Sequence, residues 1–355
     1  MPTLAVADSL KSRFSGVELL YIGSKRAEDR RLVEASGIQF RGIHAGKFRR
    51  YLSWENFWDM FRFWFGIWEA GRILKKFRPQ VVFAKGGYVS LPVIIAAKHL
   101  DIPVVLHESD SHLGLANKMA LKSATKLAVA WPIQNYWQNE PRLGKYADKF
   151  VYTGLPMTPE FINWKTNRLF ENGLPIILFT GGSQGAHAIN KMVWEILPQL
   201  LRRFNVAHQA GKLDIEEANR QKMNLAPEIQ NNYLPFEFDR NIFLSALHLA
   251  DLVISRSGSF VFELAILGKS AILIPLPNSA NNHQVKNAQW MANNGAGVTL
   301  SQEFGATKLL ETIDDLMKDE SKRLAMSDTM KKLGEQSKTA AETIAKLIID
   351  EAKKD

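Results

Sequence analysis

No cysteine occurs anywhere in the 355 residues. A disulfide framework, a thiolate metal site and a cysteine nucleophile are therefore all excluded, and a reducing compartment is the expected setting. Nor does any apolar run approach the ~18 residues of a membrane span. The opening MPTLAVADSL lacks the basic-then-apolar pattern of a secretory signal, so a cytoplasmic chain that does not cross a membrane is expected. Low-complexity segments and short-period repeats are also missing, which excludes fibrous and solenoid architectures.

What is present fits a globular chain, with 46% hydrophobic and 23% charged residues, long enough for two domains of ordinary size. The net charge of +9 is unevenly placed. Residues 1–154 carry 23 Lys/Arg against 13 Asp/Glu, a balance of +10, and residues 155–355 carry 22 against 23, a balance of −1. The first half therefore faces something acidic, and charge alone does not separate nucleic acid from an anionic membrane surface.

Short β-rich runs alternate with segments able to hold a helix: VELLYI, IQFRGI, VVFAK, PVVLHES, KLAVAW and FVYTG. After the proline-containing stretch 155–174 a second series follows: IILFTG, NVAHQAG, YLPFEF, LVISRS, AILIPL and GVTLS. This repetition predicts an α/β chain with two Rossmann-like parallel-sheet domains, residues 1–154 and 175–335, joined by a linker over 155–174. The tail from about 306 is rich in Ala, Lys, Glu and Leu and should be helical, its last part, 336–355, able to pack back on the first domain.

Open parallel sheets bind ligands beyond the carboxyl ends of their strands. At such an end stands FTGGSQGAHAIN, where Gly181 and Gly182 permit a tight turn and a helix opening near Gln184 presents free N–H groups to an anion. Ser183, at the expected N-cap, can donate its hydroxyl to the same anion. A diphosphate suits this turn; a glycine turn used only for packing is the competing reading. The dinucleotide fingerprint is not met, because the next strand ends NVAHQAGK without an acid, and no P-loop spacing is present. A second turn, Ser257-Gly258-Ser259, precedes a helix carrying Glu263, whose carboxylate can accept from a ribose diol or simply favour the helix dipole. Asn281, Asn282, His283 and Gln284 form a polar loop that suits sugar hydroxyls or solvent. In the first half Gly86 and Gly87 follow a strand, and His107, Glu108 and Asp110 stand at the end of the next. No further ligands at metal spacing accompany them, and Asp-x-Asp occurs nowhere in the chain, so neither metal nor cofactor is expected.

Residues 51–77 hold ten aromatics. Trp54, Phe57, Trp58, Phe61, Phe65 and Trp68 share one helical stripe, which predicts a core face. Phe63 and Trp64 fall off its centre and leave aromatic surface, flanked by Lys47, Arg49, Arg50, Arg72, Lys75, Lys76 and Arg78. Aromatic and basic surface together suit a membrane interface, and core packing alone is the other reading.

GGYVSLP, HESDSHLGLANK, TGGSQGAHAIN, HQAGK, ADLVISRSG, FELAILGKSAILIPLP and HQVKNA stand in the order and spacing of the bacterial UDP-N-acetylglucosamine–undecaprenyl-diphospho-muramoylpentapeptide N-acetylglucosaminyltransferases, the MurG family, and the chain resembles that family over nearly its whole length. The resemblance implies a GT-B fold, two Rossmann-like domains facing across a cleft. It implies metal-independent, inverting transfer of N-acetylglucosamine from UDP-GlcNAc to the muramoyl 4-hydroxyl of undecaprenyl-linked lipid I, giving lipid II for peptidoglycan synthesis. It also implies peripheral attachment to the anionic cytoplasmic face of the cell membrane, with no nucleic-acid partner. Carried over by motif, Gly182, Ser183, Gln184, Asn190, Arg256, Ser259, Phe260, Glu263, Gln284 and Asp110 would meet UDP-GlcNAc. Gly86, Gly87, Tyr88, His107, Glu108 and Asn117 would line the acceptor side. There are departures. Asp110 and Thr158 replace a family asparagine and arginine, the spacing from RSG to the glutamate is one residue short, and PTLAVADSL resembles the helix just after the family's GGTGGH turn. That turn carries the family's candidate base, so the resemblance leaves the catalytic base unknown, with His107 a substitute, and implies an active form extended at the amino terminus. Another GT-B UDP-sugar enzyme, such as a 2-epimerase, or a non-catalytic sugar-nucleotide or lipid-binding protein are the alternatives.

Overall fold

The computed structural model describes residues 2–46, 54–182, 185–277, 279 and 282–353, with the backbone alone at 28 and 54–58. The chain divides into two compact units, residues 1–158 with 336–355, and residues 159–335. The boundary between the two units, Thr158 to Pro159, falls inside the stretch 155–174.

In the first unit β1 (Leu20–Ser24) pairs in parallel with β2 (Gln39–Ile43). A separate parallel sheet has the order β3 (Val82–Ala84), β4 (Val104–Glu108), β5 (Lys126–Val129), β6 (Phe150–Tyr152). The helix Pro2–Arg13 spans both sheets. Its Val6 and Leu10 join Val105 and Ala128 of β4 and β5, while Leu4 and Ala7 pack against Val33, Ile38 and Phe40. The chain's last helix, Ala340–Ala352, adds Ile344, Ala345 and Ile348 to the first of these cores and pairs Glu342 with Arg13. Gly154 fixes the return of the tail: it lies at φ +77°, and a Cβ there would fall 2.6 Å from the Ser337 amide nitrogen.

The second unit is a single parallel sheet of β7 (Ile176–Thr180), β8 (Asn205–Gln209), β9 (Tyr233–Phe236), β10 (Leu252–Ser255), β11 (Ala271–Leu273) and β12 (Val298–Thr299). Both of its faces are covered, which is why most of these strands read as apolar runs, although β8 (NVAHQ) also buries Asn205, His208 and Gln209. The spatial order is β12-β11-β10-β7-β8-β9, the doubly wound arrangement whose direction reverses between β7 and β10. Helices Gly305–Lys318, Glu320–Lys338 and Ala340–Ala352 occupy the alanine- and lysine-rich tail.

The aromatic helix Trp54–Phe77 is rotated from its expected setting. Phe61, Phe65 and Trp68, expected in the core, are 53%, 47% and 53% exposed, whereas Phe63, expected off the buried stripe, is 7% exposed. Trp64 is exposed as anticipated, and the side chains of Trp54, Phe57 and Trp58 lie outside the described residues. Close backbone approach decides the rotation. A Cβ on Gly66 would sit 2.0 Å from the His44 carbonyl oxygen, and one on Gly46 equally close to that of Asp59. The face that contacts β2 and the helix Ser90–His99 is therefore Asp59, Phe63, Gly66, Ala70 and Leu74. The larger aromatic stripe is left outside.

Candidate functional site

The reversal between β7 and β10 sets two glycine turns side by side, since Thr180 and Ser255 are register partners at the strand ends. After Thr180 each glycine answers a different need. A Cβ on Gly181 would lie 2.3 Å from the Ala186 nitrogen, and one on Gly185 would lie 2.3 Å from the Ala210 carbonyl oxygen. Gly182, at φ +90°, has no heavy atom of the described residues beyond its chain neighbours within 4 Å of its Cβ position. The 14-residue helix His187–Leu200 follows, its first-turn N–H groups directed toward this end of the sheet. Ser183 and Gln184 lie outside the described residues.

Beneath the turn is a buried polar network from the end of β8. Asn190 donates to the Ala210 carbonyl at 2.8 Å and to Asp214 at 2.7 Å, and its oxygen lies 2.9 Å from His208 Nε2. With the amide donors so used, His208 must donate through Nε2, leaving Nδ1 to accept from the Tyr233 hydroxyl at 2.8 Å. Burial pushes the His208 imidazole down to about 3, so it is neutral.

After β10, Arg256 donates to the carbonyls of Ile274 and Pro275 and to Gln302, at 3.0–3.2 Å. Ser257 donates to the Gln284 carbonyl and accepts, through its own carbonyl, from buried Asn287. Exposed Ser259 opens the helix Phe260–Leu267, and Phe260 packs in line with Phe243 and half-exposed Phe238. In the first turn Glu263 is half-buried; burial raises its carboxyl to about 7, and it accepts no hydrogen bond among the described residues. Gln284 uses its side-chain oxygen to accept from the Leu276 N–H at 3.0 Å, so its amide nitrogen is the end left for a ligand hydroxyl.

The first unit holds its own cavity, about 490 Å³, lined by Gly86, Gly87, Tyr88, Glu108, Asp110 and Asn117, with Lys85 at its wall. Gly86, at φ +90°, presses on the Asn117 amide, where a Cβ would lie 2.8 Å from the oxygen. Asn117 and the amides of Gly114 and Asp110 all donate to Glu108 at 2.8–3.0 Å. Burial raises the Glu108 carboxyl, opposed by these hydrogen bonds. Burial also lowers Lys85, whereas Asp110 and Glu108 raise it. Among the described residues no group of three His, Cys, Asp or Glu stands close enough to hold a metal ion.

Comparison with known proteins decides the family. The model of the glycosyltransferase family 28 N-terminal domain matches residues 1–129 and that of the C-terminal domain matches residues 176–346. The UDP-N-acetylglucosamine–N-acetylmuramyl-(pentapeptide) pyrophosphoryl-undecaprenol N-acetylglucosamine transferase of Lachnospira eligens is 38% identical over 311 residues, 85% of this chain and 82% of that protein. The protein of the same name from Clostridium perfringens is 36% identical over 341 residues, covering 94% and 90%. The chain belongs to the MurG family. In fold it resembles the crystal structure of Acinetobacter baumannii MurG, with TM-score 0.74, 24% identity and 98% and 95% of the two chains covered. It also resembles a UDP-GlcNAc 2-epimerase from Neisseria meningitidis, with TM-score 0.67 and 13% identity over 97% and 96% of the chains. The fold class is GT-B.

In this MurG-family chain Gly182, Ser259, Phe260, Glu263 and Gln284 stand at the carboxyl edge of the second sheet. Two residues assigned to the donor by motif are engaged elsewhere. Asn190 is fully buried with both ends of its amide paired inside the unit, and Arg256 holds the loop after β11. In the first unit Asp110 shares the cavity with Tyr88, Glu108 and Asn117, whereas His107 does not line it. His107 is fully buried, 3.3 Å from the Gly154 carbonyl oxygen, and burial lowers it to about 4. Enclosed in this way, it cannot reach an acceptor hydroxyl as a base. Sequence reasoning passed over Lys85, Gln209 and Asp214, although Gln209 sits inside HQAGK and Lys85 directly precedes GGYVSLP.

Proposed function

We infer that this chain transfers N-acetylglucosamine from UDP-GlcNAc to the 4-hydroxyl of the muramoyl sugar of lipid I, forming lipid II in peptidoglycan synthesis. The observation that carries the reading is the pair of glycine turns at the reversal of the second sheet, in a chain 36–38% identical to transferases of that name. In the transfer the acceptor oxygen attacks the anomeric carbon as the bond to the β-phosphate breaks; UDP departs with the electron pair, and the hydroxyl proton is released, so that lipid II, UDP and one proton are formed. The open turn at Gly182 and the helix dipole behind it meet the charge that grows on the diphosphate. Glu263 accepts from the ribose diol, and the Gln284 amide donates to a sugar hydroxyl. The cavity of the first unit, with Tyr88, Asp110 and Asn117, takes the acceptor sugar.

Attachment to the membrane is peripheral in this reading. No helix among the described residues is long and apolar enough to cross a bilayer. The helix Trp54–Phe77 instead offers exposed Phe61, Trp64, Phe65 and Trp68, then Arg72, Lys75 and Lys76 on the same side, with Arg72 stacked 4.8 Å over Trp68. Such a surface suits the anionic cytoplasmic face of the membrane. Titration calorimetry tests the donor half: UDP and UDP-GlcNAc should bind one site and compete, and ADP should not displace them. Equal binding of ADP and UDP would contradict a uridine-selective donor site.

A further inference from the structure

We propose that Gln209 is a positioning residue for the diphosphate of the sugar nucleotide, acting through the glycine turn without touching the ligand; this rests on the donor site proposed above. Gln209 ends β8 directly beside Thr180, the last residue of β7, and both are buried, at 0% and 2% exposure. Three hydrogen bonds close a ring. The Gln209 amide nitrogen donates to the Gly182 carbonyl at 2.8 Å, the Gly182 N–H donates to the Thr180 hydroxyl at 3.3 Å, and that hydroxyl donates to the Gln209 oxygen at 2.5 Å. Each group has one role it can fill. The Gly182 carbonyl only accepts, so the carboxamide must turn its nitrogen to it, and its oxygen then faces the hydroxyl. Gly185 adds a second donor to the same carbonyl at 2.8 Å.

Both backbone groups of Gly182 are therefore held from below, while no described residue beyond its chain neighbours stands within 4 Å of its Cβ position. A turn at φ +90° has many alternatives available to glycine, and an anion-binding turn works best when its N–H groups are oriented before the ligand arrives. The ring removes those alternatives. An apolar residue of equal size would fill the space at the end of β8 but remove one of the two donors that hold the Gly182 carbonyl and the acceptor that orients the Thr180 hydroxyl.

The test compares UDP with uridine, which lacks the phosphates, by calorimetry on the whole chain. Gln209→Leu should weaken UDP binding about tenfold, the loss of one well-placed hydrogen-bond set, and leave uridine binding unchanged within about twofold. Gln209→Glu keeps the acceptor for Thr180 but can donate to the Gly182 carbonyl only when protonated, so its UDP affinity should recover toward the parent value as pH falls. If Gln209→Leu does not fold, Thr180→Val breaks the same ring and should give the same split between UDP and uridine. Unchanged UDP affinity in a folded variant, or parallel loss of UDP and uridine, would overturn the positioning role. Failure of the parent chain to bind UDP would instead overturn the donor site itself.

Discussion

Glu263 carries a pH signature that a decorative helix acid would not. Burial raises its carboxyl to about 7, so near pH 6 it is mostly protonated and near pH 8 mostly ionised. If the carboxylate accepts from the ribose diol, UDP affinity should rise from pH 6 to pH 8 in the parent and stay flat in Glu263→Gln. Glu263→Ala should weaken UDP by ~1–3 kcal/mol. Stability moves the other way. A folded-state value above the unfolded one contributes stability below the unfolded value, lost as pH rises through about 7. Thermal melts should therefore show Glu263→Gln more stable than the parent above pH 7 and equal to it near pH 4. For His107, enclosed by β4 and its neighbours, the expectation is different: His107→Gln should lower the melting temperature and leave the pH profile of turnover unmoved. A lost limb in that profile would restore it as a base. Residue types marked Glu263 and Gln284 as ligand candidates, since carboxylate and amide in a strand-end turn have the right chemistry. They could not show that the Asn190 amide is already used at both ends, because that depends on which neighbours the fold brings to it.

At the scale of elements, the β-rich runs correspond to the twelve strands among the described residues; strands covered on both faces, such as β10 and β11, are apolar nearly throughout, whereas β2 exposes Gln39 and Arg41. The rotation of the helix Trp54–Phe77 was not legible in the same way. Its strongest stripe is aromatic, and a hydrophobic period cannot distinguish a face buried in the protein from one that meets lipid. Gly66 and Gly46, which allow contact only through van der Waals approach of backbone, decide the matter. Chemical denaturation checks the result: Phe63→Ala should cost about 3–5 kcal/mol, whereas Phe61→Ala should stay within about 0.5 kcal/mol. Vesicle co-sedimentation then separates the two halves of the exposed face. Replacing Lys75, Lys76 and Arg78 by Glu should reduce binding to anionic vesicles at low salt, with the difference shrinking as salt rises. Trp64→Ser with Trp68→Ser should reduce binding at every salt concentration. Parent-like sedimentation of both variants would remove this helix from the membrane interface.

For the whole molecule, the two series of strand runs made two α/β domains readable, but not the order of strands within either sheet. A right-handed crossover can place the next strand on either side of the last, depending on which face its helix covers. Only the order β12-β11-β10-β7-β8-β9 reveals that turns separated by more than 70 residues, at Gly182 and Gly258, are neighbours. That adjacency is what favours the reading of the second unit as a sugar-nucleotide site over a pair of packing turns. The most direct measurement is transfer of labelled N-acetylglucosamine from UDP-GlcNAc to a lipid I analogue, with the product's new glycosidic bond assigned by NMR. The account predicts a disaccharide lipid joined at the muramoyl 4-hydroxyl with inverted, β configuration, formed in step with UDP. Release of UDP with the sugar left free, or a product of retained configuration, would contradict it.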